Sequence, residues 1–260
     1  MKTVKKTLDI LEVFLNGGKE ISVNELADIT GQNVSTVHSI LLELSKMGYI
    51  RQRQKRGKYS LGLKFLSFGR AINSILGIEE IFHPFMVDLS NKVNETVNLA
   101  VRDGNYTYSI AVIESTQRLR VVTNRQYGGR IPLYCTGIGK VFLADMPDEE
   151  LRTYLEHEPL NPITANTITD PKKLLEQIQK VRRDGLAFDI EECEFGVRNV
   201  AGPAKDYTGK VVAAIGVLGP SVRLTLKRIK EISPIVKKCA VDISHELQWS
   251  GDKKVAGLKM

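Results

Sequence analysis

Three stretches of apolar residues at helical spacing fill the first fifty positions, and this pattern constrains the fold more than any other feature of the chain. The first stretch runs from Val4 to Leu15 and ends at Asn16-Gly17-Gly18. Ser22, followed three residues later by Glu25, forms the capping box of a second, short helix. Gly31 ends that helix, so that two helices are predicted before residue 32.

A third helix follows after a turn of about three residues, and this spacing is typical of a helix-turn-helix. Asn33 is its predicted N-cap. The helix carries an apolar stripe that we expect to be buried, made of Val34, Val37, Leu41 and Leu44. The opposite face then presents short polar side chains near the N-terminal end, namely Ser35, Thr36, His38 and Ser39. A recognition helix contacts base edges and phosphates from this position.

A strongly basic turn follows the third helix. Two short alternating segments, Tyr49–Arg53 and Tyr59–Leu63, flank it and predict a β-hairpin, the wing of a winged helix-turn-helix. The eight residues from Arg51 to Lys58 carry five positive charges and no negative charge. Most such runs are solvated loops, but clustered Lys and Arg also bind DNA phosphates and release their counterions.

The distribution of charge decides between these two interpretations. Residues 1–70 hold 12 Lys and Arg against 6 Asp and Glu, so that +6 of the net charge of +7 lies there. Together with the helix-turn-helix, this asymmetry favours double-stranded DNA as the partner. The predicted DNA-contacting residues are Ser22, Asn33, Ser35, Thr36, His38, Ser39, Arg51, Arg53, Lys55, Arg56 and Lys58.

The rest of the chain predicts a connecting helix and a mixed α+β domain. Apolar residues over 66–81 predict a linker helix whose exposed side chains need a partner surface, as in a dimer. Strands are predicted at 95–102, 106–113, 185–189 and 197–203, and the continuous apolar run Val211–Val217 predicts a central strand. Helices fit residues 139–145, 148–156, 170–184 and 223–247. We therefore expect an antiparallel sheet flanked by helices.

The motifs of the N-terminal part resemble the reading head of IclR-type bacterial transcription regulators. They are Ser22-Val23-Asn24-Glu25-Leu26-Ala27, Ser35-Thr36-Val37-His38, Leu41-Leu42-Glu43-Leu44, Gly48-Tyr49-Ile50 and Tyr59-Ser60-Leu61-Gly62. Family members usually have Arg after the Thr-Val-His run, where this chain has Ser39. The DNA sequence that relatives prefer therefore need not transfer.

The C-terminal part completes the resemblance, which covers about residues 4–247. Ile131–Ala144, Asp184–Glu192, Gly196–Pro203 and Gly209–Ile215 are similar to the signatures of the family's effector domain. The resemblance implies a GAF-like effector-binding domain, a homodimer or dimer of dimers, and small organic ligands, often carboxylic acids. It implies effector contacts at Gly137, Ile138, Asp189 and Asn199.

Two positions near these contacts differ from relatives that bind small keto acids. Those relatives tend to have Cys where Asn199 stands, and His is common where Tyr134 stands. Tyr134 and Asn199 can donate hydrogen bonds to a carboxylate or a sugar hydroxyl, and Asp189 can accept one from a ligand hydroxyl. The expected effector is accordingly a carboxylic or sugar acid.

Glycines 137 and 139 allow three interpretations. A nucleotide-binding P-loop is excluded by spacing, because Tyr134 stands where it needs glycine and Val141 where it needs Ser or Thr. A turn that presents backbone N–H groups to an anion at a helix start is favoured. Glycines that merely permit tight packing are the alternative.

The acidic run from Asp189 to Glu194 also stays open between solvation and a pocket lining. Its alternation predicts that Phe188 and Ile190 point inward and that Asp189 and Glu191 point outward.

Enzymatic activity and metal binding find little support in the sequence. Cys135 with His83 or His157 lacks the local signature of a nucleophile and its base, and we expect this cysteine to pack in the core. The three cysteines have no zinc-ligand spacing, and neither a metal nor another cofactor is expected. The small, odd number of cysteines and the lack of an apolar signal region or membrane span predict a cytoplasmic protein.

We therefore expect a non-enzymatic regulator that represses a catabolic operon and whose operator affinity changes with the effector. The alternatives are an activator of the same family and an enzyme with an accessory DNA-binding head. The predicted parts are a winged helix-turn-helix domain at 1–65, a linker helix at 66–81, an effector-binding domain at 82–248 and a tail at 249–260.

Overall fold

A computed structural model describes residues 2–17, 20–52, 57–68, 78–122 and 130–249. These residues form two compact units, the N-terminal head (described residues 2–68) and the sheet domain (described residues 79–249). The domain boundaries proposed from the sequence stay predictions. Among the described residues, no helix has the length and apolar character that a membrane crossing requires.

The N-terminal head has the winged helix-turn-helix order that the sequence predicts. Its elements are α1 (Lys2–Gly17), α2 (Val23–Thr30), α3 (Val34–Lys46), the antiparallel strands β1 (Ile50–Gln52) and β2 (Tyr59–Leu61), and a helical segment at 64–68. Gly31 ends α2 with a φ of 64°, a left-handed conformation that glycine adopts without strain. The core contains Ile10, Leu26, Val37, Leu41 and Ile50.

One detail of the predicted buried stripe on α3 is wrong. Val34 was expected in the buried stripe of α3, but it is the first residue of that helix and is 49% exposed. On α1, Ile10 and Phe14 are buried, whereas Val4 and Leu8 lie on the exposed side. Asn33 occupies the predicted N-cap position, but its side chain makes no capping hydrogen bond.

The sheet domain is built on one six-stranded antiparallel sheet with the order β5-β4-β3-β8-β7-β6. Its strands are β3 (Thr96–Asp103), β4 (Tyr106–Ile113), β5 (Arg130–Pro132), β6 (Ala187–Ile190), β7 (Val197–Lys205) and β8 (Val211–Pro220). Its helices are α4 (Ile78–Val93), α5 (Gly137–Asp145), α6 (Asp148–His157), α7 (Pro171–Asp184) and α8 (Leu226–Glu246). The α+β class and the central place of β8 are confirmed, whereas the short strand β5 was not predicted.

Helices cover both faces of this sheet. On one face α8 packs on β7 and β8, and a Cβ on Gly202 would come within 2.9 Å of the Ala240 side chain. Helix α4 continues through Pro84, and the Cys239 thiol of α8 lies 3.7 Å from the carbonyl of Phe85. On the other face α5 packs on β6, β7 and β8, with α7 beside it.

Small side chains let α5 approach the sheet closely. Ala187, Ala201 and Gly216 lie next to one another on β6, β7 and β8, on the side that α5 covers. They place the N-terminal end of α5 against the sheet, where the predicted effector residues converge.

Candidate functional site

The capping box predicted from the sequence fixes the start of α2. The backbone N–H of Ser22 donates to Glu25 Oε2 at 2.8 Å, and the N–H of Glu25 donates to Ser22 Oγ at 3.3 Å. Just before this cap, Ile21 and Tyr59 exchange two backbone hydrogen bonds, of 2.8 and 2.9 Å. The helix-turn-helix is therefore tied to the second strand of the wing.

The outward face of α3 carries the predicted polar residues. Ser35, His38 and Ser39 are exposed and Thr36 is half-buried. No side chain of these four makes a hydrogen bond or an ion pair with another described residue, so that all are available to a partner. By contrast, the hydroxyl of Ser22 is occupied by the capping box.

The wing residues that the structure describes are partly engaged within the head. The Nε–H of Arg51 donates to Ser60 Oγ at 3.1 Å, and Lys58 Nζ lies 3.6 Å from Glu25 Oε1. The hydrogen bond from the Ser22 N–H is the main cause that lowers the pKa of Glu25, with Lys58 adding to it. Arg53, Lys55 and Arg56, which were predicted to contact DNA, lie outside the described residues.

A second polar cluster lies at the N-terminal end of α5 in the sheet domain. Thr136 caps this helix and accepts the N–H of Gly139 at 2.8 Å. The N–H groups of Gly137 and Ile138 donate to no described residue. Two backbone donors are therefore left free at the positive end of the helix dipole.

Asn199 connects this helix start to the sheet. It is 2% exposed, and its Nδ2 donates to the carbonyl of Val217 at 3.1 Å, while its Oδ1 has no hydrogen-bond partner among the described residues. Gly137 and Gly216 lie on either side of the amide, and a Cβ on either glycine would collide with it. Close packing is thus one reason for glycine at position 137.

Gly139 likewise has a packing role, since a Cβ there would collide with the backbone of Leu133. The structure therefore supports the packing interpretation of both glycines. It also gives the Gly137 N–H no hydrogen-bond partner among the described residues, as the anion-binding interpretation requires.

Asp189 lies opposite Asn199 on the neighbouring strand and faces the covered side of the sheet. The predicted alternation on β6 is therefore wrong, since Ala187 and Asp189 are 0% and 3% exposed, whereas Phe188 is half-buried. Asp189 Oδ1 accepts the N–H of Glu192 at 2.7 Å. Burial raises the pKa of Asp189 to about 7, so that near neutral pH its carboxyl exists in both protonation states.

A buried ion pair that sequence reasoning missed supports this cluster. Lys140 Nζ lies 2.6 and 2.7 Å from the two oxygens of Glu192 and 3.0 Å from the carbonyl of Phe188. Lys140 is 0% exposed and Glu192 is 4% exposed. The pair holds α5 against the loop after β6. In the sequence, the only sign of it is a lysine within an otherwise apolar helix.

The other acidic residues of this loop are also accounted for. Glu191 Oε1 accepts the guanidinium of Arg198 at 2.8 Å, and this hydrogen bond lowers the pKa of Glu191. Glu194 is exposed to solvent. The run is therefore not uniformly solvated, and no group of metal-ligating side chains occurs among the described residues.

The remaining predicted effector residues are buried beside the cluster. Ile138 is 4% exposed and approaches Gly216. Tyr134 is 3% exposed, its hydroxyl donates to the carbonyl of Asn161 at 3.0 Å, and burial raises its pKa to about 12. The structure thus brings together Gly137, Ile138, Asp189 and Asn199, and directs the hydroxyl of Tyr134 to a backbone carbonyl.

Cys135 packs in the core, as the sequence predicts. It is 0% exposed, its thiol donates to the carbonyl of Pro132 at 3.4 Å, and its pKa is strongly raised by the neighbouring Cys193 thiol and by burial. A thiol held protonated in this way is a poor nucleophile, which argues against a catalytic role.

Two sequence models of known domains match the chain. The one described as the IclR helix-turn-helix domain matches residues 3–54, and the one described as the C-terminal domain of the bacterial transcriptional regulator IclR matches residues 71–245. Among curated relatives, the HTH-type transcriptional regulator KipR of Bacillus subtilis (strain 168) is 34% identical over 249 residues, which span 96% of this chain and 98% of KipR. Others are named repressors.

Solved structures give the same result. The IclR structure of Thermotoga maritima superposes with a TM-score of 0.78 at 33% identity, covering 96% of this chain and all of that one. An IclR homologue of Microbacterium hydrocarbonoxydans, complexed with 4-hydroxybenzoate, has a TM-score of 0.81 at 22% identity. It covers 95% of this chain and 99% of that one, and it shows the shared fold.

Proposed function

Because the chain belongs to the IclR family of bacterial transcriptional regulators, we propose that it represses a catabolic operon and that a small carboxylic or sugar acid controls its affinity for the operator. It is a DNA-binding regulator and not an enzyme. The operator is a palindrome that a homodimer or a dimer of dimers binds, because two-fold symmetric readers require two half-sites.

The unpaired polar face of α3 carries the DNA-binding part of this proposal. Ser35, His38 and Ser39 are exposed at the end of the helix that meets base edges in helix-turn-helix proteins. The charge of +6 on residues 1–70 supplies the attraction to phosphates. Ser22 acts through its cap, which orients the helices, while Asn33, Thr36, Arg51, Arg53, Lys55, Arg56 and Lys58 complete the proposed contact surface.

The polar cluster at the start of α5 supports the effector part. The free N–H groups of Gly137 and Ile138 suit a carboxylate, because they lie at the positive end of a helix dipole. Asp189 can donate to or accept from a ligand hydroxyl, depending on its protonation state. Such a ligand changes operator affinity only if its affinity for the arrangement that binds DNA differs from its affinity for the arrangement that does not. The predicted linker at 66–81 joins the N-terminal head to the sheet domain along the chain, and its residues 69–77 lie outside the described residues.

The effector is best sought by thermal-shift screening of organic and sugar acids on the full-length protein. A ligand at 100 times its Kd adds about 2.7 kcal/mol to the free energy of unfolding. Gel shifts with the gene's own upstream region, with and without each hit, then separate repression relieved by the ligand from activation. Turnover of a hit would contradict the regulator assignment.

Replacing Asp189 by alanine is expected to abolish the effect of the ligand on DNA binding and to leave operator affinity without ligand unchanged. The change removes a buried polar partner from the effector cluster but leaves the head intact. Glu194→Ala is the matched control, since it removes an exposed carboxylate of the same segment. An unaltered effector titration in Asp189→Ala would reject Asp189 as a contact.

Replacing Arg53 and Arg56 together by alanine is expected to weaken binding to all DNA sequences alike. Each phosphate contact contributes about 0.9 to the slope of log K against log salt, so that the slope should fall by about 1.8 for each half-site and by about 3.6 for a homodimer on both half-sites. Fluorescence anisotropy over a range of salt concentrations measures it, with the pair Lys227→Ala and Lys230→Ala on α8 as a charge-matched control. An unchanged slope in the wing variant would exclude the wing as a phosphate contact.

A further inference from the structure

The first residue of α3 is an apolar side chain that the fold does not bury. Val34 is 49% exposed, whereas Val37, Leu41 and Leu44 on the same helix are buried. Its β-branched side chain also gives the helix no advantage in propensity. Single exposed apolar residues are common on protein surfaces, and so the position of Val34 decides whether it has a role.

That position is the one from which a recognition helix reads bases. In helix-turn-helix proteins, the N-terminal residues of the second helix meet base edges in the major groove. Val34 stands between Asn33 and Ser35, which are both exposed, and the Asn33 amide is not used for capping. The backbone before it is fixed, because the capping box and Gly31 define both ends of α2. Val34 is thus the apolar element of an otherwise polar tip.

The major groove offers one chemical partner for an apolar tip. Among the four bases, only thymine presents a methyl group there, at C5, and contact with it excludes water from both surfaces. We propose that Val34 contacts the C5-methyl of a thymine in each operator half-site and makes the head prefer thymine over cytosine at that position. This inference rests on the proposed DNA-binding function and adds to it a specificity-determining residue.

The expected effect follows from the size of one methyl group. Removing a buried methyl or methylene from contact costs about 0.8 kcal/mol, which corresponds to about a fourfold loss of affinity per half-site. An effect of this size is measurable by anisotropy, and it is smaller than the loss of a bidentate hydrogen bond to a base.

The test uses the full-length protein and replaces thymine by uracil, which lacks only the C5-methyl. Selection from a random duplex library first yields a preferred duplex, in which each dT is then replaced by dU one position at a time. For the wild type, dU at one position of either half-site should weaken binding about fourfold, and dU at that position in both half-sites should weaken it about 16-fold. The variant Val34→Ala should bind the dT and dU duplexes equally at that position.

Two variants separate this contact from a general loss of apolar surface. Leu42→Ala removes a 44% exposed side chain farther along α3, and Ile29→Ala removes a 63% exposed side chain on α2. Both should keep the wild-type ratio of dT to dU affinity. A circular dichroism melt of Val34→Ala shows whether the exposed substitution leaves the fold unchanged, as its exposure predicts.

Three results would overturn the proposal. In the first, no position of the preferred duplex is sensitive to uracil. In the second, Val34→Ala keeps the wild-type sensitivity. Both leave DNA binding itself intact, because a specific duplex has been recovered. In the third, the library yields no preferred duplex, and the DNA-binding proposal fails together with the assignment of Val34.

Discussion

Replacing Lys140 by methionine is expected to lower the free energy of unfolding of the sheet domain by about 3–5 kcal/mol. The lysine is 0% exposed, and its loss leaves the Glu192 carboxylate buried without its cation. Urea unfolding followed by the fluorescence of Trp249 measures the change, because this single tryptophan of the chain packs beside Lys205 in the same domain.

The double variant Lys140→Met and Glu192→Leu is the decisive control. When both partners of a buried ion pair are replaced by apolar residues of similar size, stability often returns or increases. We therefore expect the double variant to recover most of the loss. A double variant as unstable as Lys140→Met would show that packing of the lysine stem, and not the unpaired charge, causes the destabilisation.

The contribution of Asp189 to the free energy of unfolding of the sheet domain is also expected to fall as the pH rises from about 4 to about 7. Burial raises the pKa of Asp189 from 3.8 to about 7, so that in this range the folded protein holds a proton that the unfolded chain releases. The stabilisation from Asp189 is therefore complete below pH 4, decreases by up to about 1.4 kcal/mol per pH unit, and is lost above pH 7.

Asp189→Asn isolates this effect, because its amide does not titrate. Urea unfolding of both proteins at several pH values gives the difference between their free energies of unfolding. The contributions of all other titrating groups are the same in both proteins and cancel in this difference. The wild type should lose up to about 4 kcal/mol relative to the variant between pH 4 and pH 8. Parallel stability curves would show that the Asp189 carboxyl titrates alike in the folded and unfolded chains.

Features set by neighbouring residues were predictable from the sequence. The capping box needs only Ser22 and Glu25, three positions apart, and the structure contains both of its hydrogen bonds. The strand Tyr106–Ile113 has the predicted bounds, because its hairpin turn and its alternation are both local. The strand β5 has only three residues, which are too few for alternation to appear.

Errors arose where other elements decide burial. Periodicity gives the direction of Val34 around α3, but it does not say that this first residue of the helix is 49% exposed while Val37 is buried. On β6 Asp189 faces inward next to the loop in which Glu192 pairs with Lys140 of α5, and Lys140 and Glu192 lie 52 positions apart. No local pattern contains that pairing.

The positions of the candidate effector cluster are indicated by the resemblance of ordered motifs and not by a local pattern. The sequence does not show which of their polar groups already have hydrogen-bond partners. Within the part of the chain that the structure describes, the N–H groups of Gly137 and Ile138 have no partner, whereas the Tyr134 hydroxyl donates to the carbonyl of Asn161.

The Asn199 amide lies between Gly137 and Gly216, so that the residues allowed at these three positions depend on one another. A Cβ at Gly137 would collide with the Asn199 oxygen, and a Cβ at Gly216 would come within 2.7 Å of its amide nitrogen and 3.0 Å of the Ile138 side chain. A larger residue at either glycine therefore requires the Asn199 side chain to move or to be replaced. The side chain that joins α5 to the sheet thus also limits which residues can stand at the start of that helix.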